Sequence, residues 1–133
     1  MNVTWAATAL ESERYSAAEK TSDISELTEH FNELRSRGRG YLEVRLPGRE
    51  FPRLALGFQG DQAVIHLFGD ADGSALLTGD DSVATNAVVD VPVMEDLAPF
   101  SGDFILTVEH AWTLLRNFIQ TGAHDELGDW CEL

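Results

Sequence analysis

Four histidines stand in this 133-residue chain, His30, His66, His110 and His124, and their spacing pairs none with another. No HxH or HxxxH occurs, so a zinc site would need ligands converging from separate elements. His66 lies within an alternating apolar run and reads as a hydrogen-bonded structural histidine in mid-strand. Cys131 is the single cysteine, so neither an intrachain disulfide nor a multi-thiolate metal site can be built. A reactive thiolate wants cationic neighbours, whereas Cys131 has Asp129 and Glu132 beside it; it reads as a small half-buried side chain in a terminal strand. Asp70-Ala71-Asp72-Gly73 opens like a calcium loop, but its glycine comes at position four and Asp81 occupies position twelve, where an EF-hand needs glycine at six and glutamate at twelve. A β-turn explains these residues. No GxSxG, P-loop or GxGxxG is present, so no nucleophile elbow or phosphate cradle can be nominated. The expectation is a protein without catalytic, cofactor-binding or metal-ligating residues.

Charge is the informative quantity. Twenty-three acids against nine bases give a formal net charge of −14, well past the magnitude of about 2–8 that suffices for solubility. The distribution is uneven: residues 35 to 53 hold six arginines against Glu43 and Glu50, a local +4, whereas residues 54 to 133 hold fourteen acids against Arg116 alone, a local −13. Such a field repels nucleic acid and anionic membranes and steers basic partners inward. The arginines read as neutralising their own acidic neighbours. The acids gather in turns, at Asp70 and Asp72, Asp80 and Asp81, Glu95 and Asp96, and Asp125, Glu126 and Asp129; these are the candidate contacts for a partner with a basic surface.

The elements that must carry these turns follow from periodicity. Residues 2 to 8 are rich in β-branched and aromatic side chains and suit a strand; residues 11 to 22 are polar and read as a loop. Asp23 is an N-cap with Glu26 as its capping-box partner, and Ile24, Leu27, Phe31 and Leu34 give the helix over about 23 to 36 one apolar face. Tyr41 to Leu46, Leu54 to Phe58, Ala63 to Phe68, Ser74 to Thr78 and Ala87 to Val91, separated by turn residues, read as a meander in a single antiparallel sheet. Pro92 to Gly102 reads as loop, with 103 to 106 extended. Thr107 caps a second helix over about 108 to 121, whose Val108, Ala111, Trp112, Leu115, Phe118 and Ile119 form a continuous apolar stripe, with Gly122 at C′. Trp130 to Leu133 closes the chain as a short strand. One α+β domain over residues 1 to 133 is expected: an antiparallel meander packed by two amphipathic helices. No stretch reaches the roughly 18 apolar residues of a membrane span, and no signal-peptide pattern opens the chain, so a cytoplasmic address is expected.

The C-terminal third resembles a known family. Pro99-Phe100 precedes Val108-Glu109-His110-Ala111, and the helix closes in Leu115-Arg116-Asn117-Phe118-Ile119-Gln120-Thr121-Gly122 before an acidic turn and Asp129-Trp130. This ending is similar to that of the first-numbered immunity family of bacterial polymorphic toxin systems, with Phe118, Thr121, Gly122 and Trp130 as the matching positions, structural in character. The chain departs from the pattern where a proline commonly follows Thr-Gly; Ala123-His124-Asp125-Glu126 stands there. The resemblance implies an intracellular antidote that occludes a cognate toxin, often of the nucleic-acid deaminase class, with no enzymatic activity, no cofactor and a monomeric or weakly dimeric free state. The competing readings are an acidic adaptor for a basic partner unrelated to toxins, and a small-ligand-binding domain with a pocket between helix and sheet.

Overall fold

A computed structural model describes residues 2–70 and 73–133. Nine strands and two helices follow in the order β1 (Asn2–Thr8), β2 (Tyr15–Asp23), α1 (Ile24–Arg37), β3 (Arg39–Arg45), β4 (Arg53–Gln59), β5 (Gln62–Phe68), β6 (Ser74–Leu77), β7 (Val88–Val93), β8 (Asp96–Ser101), α2 (Val108–Thr121) and β9 (Trp130–Glu132). Seven strands form one antiparallel sheet in the order β2-β1-β3-β4-β5-β6-β9, and β7 pairs with β8 in a separate two-stranded ribbon. The α+β meander is therefore present, with three corrections. Residues 15 to 23, read as loop, are the edge strand β2, antiparallel to β1 and offset by a bulge opposite Trp5 and Ala7. The Pro92–Gly102 stretch is not loop but the end of β7, a tip at Met94-Glu95 and the whole of β8. The segment read as the last strand of the meander leaves the sheet altogether: β7 packs across β3, β4 and β5 instead of pairing beside β6.

The helices start and stop where their caps dictate. The Asp23 carboxylate accepts from the Glu26 N–H at 3.1 Å, while the Glu26 carboxylate reaches Lys20 at 2.9 Å instead of completing the capping box. Thr107 accepts from the His110 N–H at 3.2 Å, and Gly122 at φ 72° closes α2 through its N–H on the Phe118 carbonyl at 2.7 Å, a left-handed closure that glycine makes at no steric cost.

Period-two alternation divides the sheet into two apolar faces. Val3, Trp5, Leu42, Val44, Leu54, Leu56, Phe58, Ile65 and Leu77 point toward the helices and bury the stripes of α1 and α2. Trp112 of α2 stacks flat on Phe31 of α1, centroids 4.2 Å apart, and Phe118 is fully buried. On the opposite face Val64 and Leu76 meet Val89 and Val91 of β7 together with Ile105. The close approach of ribbon to sheet requires Gly57 on β4, because a Cβ there would collide with the Pro92 carbonyl oxygen. The molecule is thus layered as helices, sheet and ribbon. Among the described residues no helix is long and apolar enough to cross a membrane.

Candidate partner-binding surface

The structure distributes the four acidic turns to different places and different jobs. Asp80 follows β6 and turns inward to the start of α2. Its Oδ2 accepts from the Thr107 N–H at 3.0 Å and faces His110 Nδ1 at 3.0 Å, and its Oδ1 accepts from the Ser82 N–H at 3.1 Å. Asp61 reaches the same helix start, accepting from the Val108 N–H at 3.3 Å. Partial burial works against ionisation of Asp80, but the hydrogen bonds from Ser82, His110 and the Thr107 backbone outweigh it and bring its pKa down to about 2. These bonds to the charged form are what lower it, and they correct the reading of Asp80 as a rim charge: it holds the N-terminus of α2. Asp81 beside it is exposed, with φ 61°.

Asp129 comes alongside this region, because its carbonyl accepts from the Thr78 N–H at 2.9 Å. Asp125 and Glu126 are exposed on the one-turn 3-10 helix after α2, where Asp125 meets His124 Nε2 at 3.0 Å. Asp70 accepts from the Gly73 N–H at 2.6 Å in the β5–β6 turn; Asp72 lies outside the described residues. Glu95 and Asp96 form the exposed tip of the β7–β8 ribbon, on the far face of the sheet. Asp80, Asp81 and Asp129 therefore share one end of the sheet, and Glu95 and Asp96 stand apart from them.

The tip overhangs a cleft of about 520 Å³ that the sequence did not reveal. Ala6, Tyr15, Ala17, Glu19, Glu43 and Arg53 line its floor and walls, and Met94, Glu95 and Asp96 its roof. Glu19 is held by Arg45 at 2.7 Å and faces Arg53 at 3.8 Å. Glu43, half-buried, accepts the Tyr41 hydroxyl at 2.6 Å, and no lysine or arginine pairs with it among the described residues. The Tyr15 and Tyr41 rings meet edge to face at 5.2 Å. Burial, reinforced by the Glu43 charge and a hydrogen bond to it, pushes the Tyr15 phenol up to about 12. Burial first, and then its hydrogen bond to Glu43, push Tyr41 higher still. Both phenols therefore stay protonated as donors. Placing 15 to 23 in a loop hid this site, although Tyr15, Ala17 and Glu19 are spaced at the strand period.

The remaining candidates are structural. The Thr121 hydroxyl donates to the Asn117 carbonyl at 2.9 Å, and Trp130 Nε1 donates to the His124 carbonyl at 3.0 Å. Trp5 is core, its Nε1 on Ser22 Oγ at 2.9 Å. Cys131 is exposed, not half-buried. His66 is not held by a hydrogen bond: it stacks on Phe68 and meets the edge of Phe100, and burial takes its pKa down to about 4. The other histidines go to separate partners, His30 to the Thr8 carbonyl, His110 to Asp80 and His124 to Asp125. Among the described residues no three His, Cys, Asp or Glu side chains gather as a metal site. Of the six arginines between 35 and 53, Arg37, Arg45 and Arg53 meet acids. In comparisons with known proteins, no family model matches the chain and no curated protein matches it.

Proposed function

We propose that this chain is an immunity protein that neutralises a basic, nucleic-acid-targeting toxin by binding and occluding it in the cytoplasm, without chemistry of its own. One observation carries the reading. The described lysine and arginine ion pairs involve only Glu19, Glu26 and Glu33. Asp70 aside, every described acid after residue 54 lacks such a partner within the chain, so the charge of that region is turned outward. A toxin that grips phosphates must present a basic groove, and an acidic surface of this density is attracted to it over the length of the screening cloud. The resemblance of the C-terminal third to the immunity family supplies the class of toxin, the nucleic-acid deaminases. The ribbon tip adds what charge alone lacks: Met94 and Leu97 are half exposed, at 50% and 49%, between Asp90, Glu95 and Asp96. Apolar side chains ringed by acids suit the centre of an interface.

The test is co-expression of the full chain with the toxin domain encoded beside its gene. Protection of the cells and a stoichiometric complex on gel filtration are expected. Toxicity undiminished by the chain, with no complex at micromolar concentration, overturns the reading in favour of an adaptor for another basic partner.

A further inference from the structure

The cleft under the ribbon tip has features that a merely solvated acidic surface does not need. It is concave and of a size that takes a small-molecule-sized group. Two alanines, Ala6 and Ala17, keep its floor shallow in side chain, and Met94 and the Tyr15 ring supply apolar and aromatic wall. Four carboxylates, Glu19, Glu43, Glu95 and Asp96, face two guanidiniums, Arg53 in the lining and Arg45 behind Glu19, a local −2. Both arginines are committed: Arg45 to Glu19 and the Arg49 carbonyl, and Arg53 to the Glu50 carbonyl at 3.0 Å with its guanidinium over the Phe51 ring. Glu43 is therefore a partly desolvated carboxylate at the sheet's centre, oriented by the Tyr41 hydroxyl and without a cation. A charge in that position is costly until an opposite charge joins it.

We infer that this cleft receives one arginine side chain of the partner protein, its guanidinium entering between Glu43 on the floor and Glu95 and Asp96 at the rim. Arginine fits better than lysine because its planar fork offers five donors to carboxylates on more than one wall and stacks on aromatic rings, whereas an ammonium is a compact, strongly hydrated point charge. The inference rests on the proposed toxin-binding role for the identity of the partner, but the cleft's preference for a guanidinium does not.

The experiment therefore has two arms. In the first, N-acetyl-arginine methylamide is titrated into the full chain with the tyrosine ring signals followed by NMR, and N-acetyl-citrulline methylamide, its neutral isostere, is the control. Saturable shifts at Tyr15 and Tyr41 are expected with arginine only, and they should be lost in Glu43→Gln, whose amide still accepts the Tyr41 hydroxyl. In the second arm, affinity for the toxin is measured with wild type, Glu43→Gln and the double variant Glu95→Gln, Asp96→Asn, whose exposed tip leaves folding untouched. Affinity should fall at least about tenfold in each, through faster dissociation for Glu43→Gln. Equal shifts with citrulline, or none with arginine, overturn the cleft inference, as does wild-type toxin affinity in both variants. Arginine binding without any toxin complex upholds the cleft and removes the immunity reading instead.

Discussion

Lowering the pH from 7 to 5 should weaken the fold through a single side chain, His66. Its imidazole is packed between Phe68 and Phe100 on the ribbon face, and burial holds its pKa at about 4, down from 6.5. A base whose folded pKa is depressed contributes nothing above its unfolded pKa. As pH falls below 6.5 the unfolded chain takes a proton that the folded chain refuses, and stability declines until about pH 4. Over the whole window the shift of about 2.5 units corresponds to about 3 kcal/mol, and by pH 5 about 2 kcal/mol of it is lost. Asp80 does not blur this window, because its own transition lies below 3.8. Urea unfolding of wild type and His66→Phe at pH 7 and pH 5 isolates the effect. Wild type should lose about 2 kcal/mol more than the variant between the two conditions. Equal losses in the two proteins would refute the reasoning, for they would mean that His66 accepts its proton with the ribbon in place.

Three further outcomes follow from the packing and the charges. Asp80→Asn should cost about 1–2 kcal/mol in thermal or urea unfolding at pH 7 by weakening the start of α2, whereas Asp81→Lys should leave stability unchanged. The stability that Asp80 supplies is present above pH 3.8 and lost as pH falls through about 2, so the gap between Asp80→Asn and wild type should close in strong acid. Phe118→Ala should cost about 3–5 kcal/mol, because the ring is wholly buried between α2 and the sheet; a loss below about 1 kcal/mol in urea unfolding contradicts that placement. Stopped-flow association with the toxin should slow on the order of tenfold between low and physiological salt, and further when Glu95 and Asp96 are both reversed to lysine; a rate flat in salt removes the electrostatic part of the proposal.

The elements legible in the sequence are those with local signals. Asp23, Thr107 and Gly122 mark helix ends by their own chemistry, and the apolar stripe from Val108 to Ile119 names its buried face. β2 was illegible because it is an edge strand whose residues 16 to 20 are all exposed, so Ser, Ala, Glu and Lys replace the alternation a half-buried strand shows. β7 and β8 carry Pro92 and Pro99, which read as loop; a two-stranded ribbon has only outer edges and tolerates them. The acidic turns could be counted but not sorted, since nothing near Asp80 in the sequence distinguishes it from Asp81. The backbone N–H groups it serves belong to Thr107 and the start of α2, more than twenty residues away. The cleft was hidden for the same reason: Tyr15, Glu43 and Met94 meet only because β2, β3 and the ribbon tip converge.

Gly57 has a consequence for how such a molecule can change over generations. It lets the ribbon rest backbone to backbone on the sheet, so at that point the seat is set by the absence of a side chain, not by a matched pair of them. Residues at the ribbon tip can therefore be exchanged without renegotiating that contact, while the helices on the other side of the sheet continue to supply most of the buried core. A lineage confronted with an altered adversary can diversify Met94, Glu95, Asp96 and Leu97 rapidly, with α1 and α2 left under slow, conservative drift. Substitution rates should accordingly split by sheet face, fast on one and slow on the other, and Gly57 itself should be among the last positions to vary.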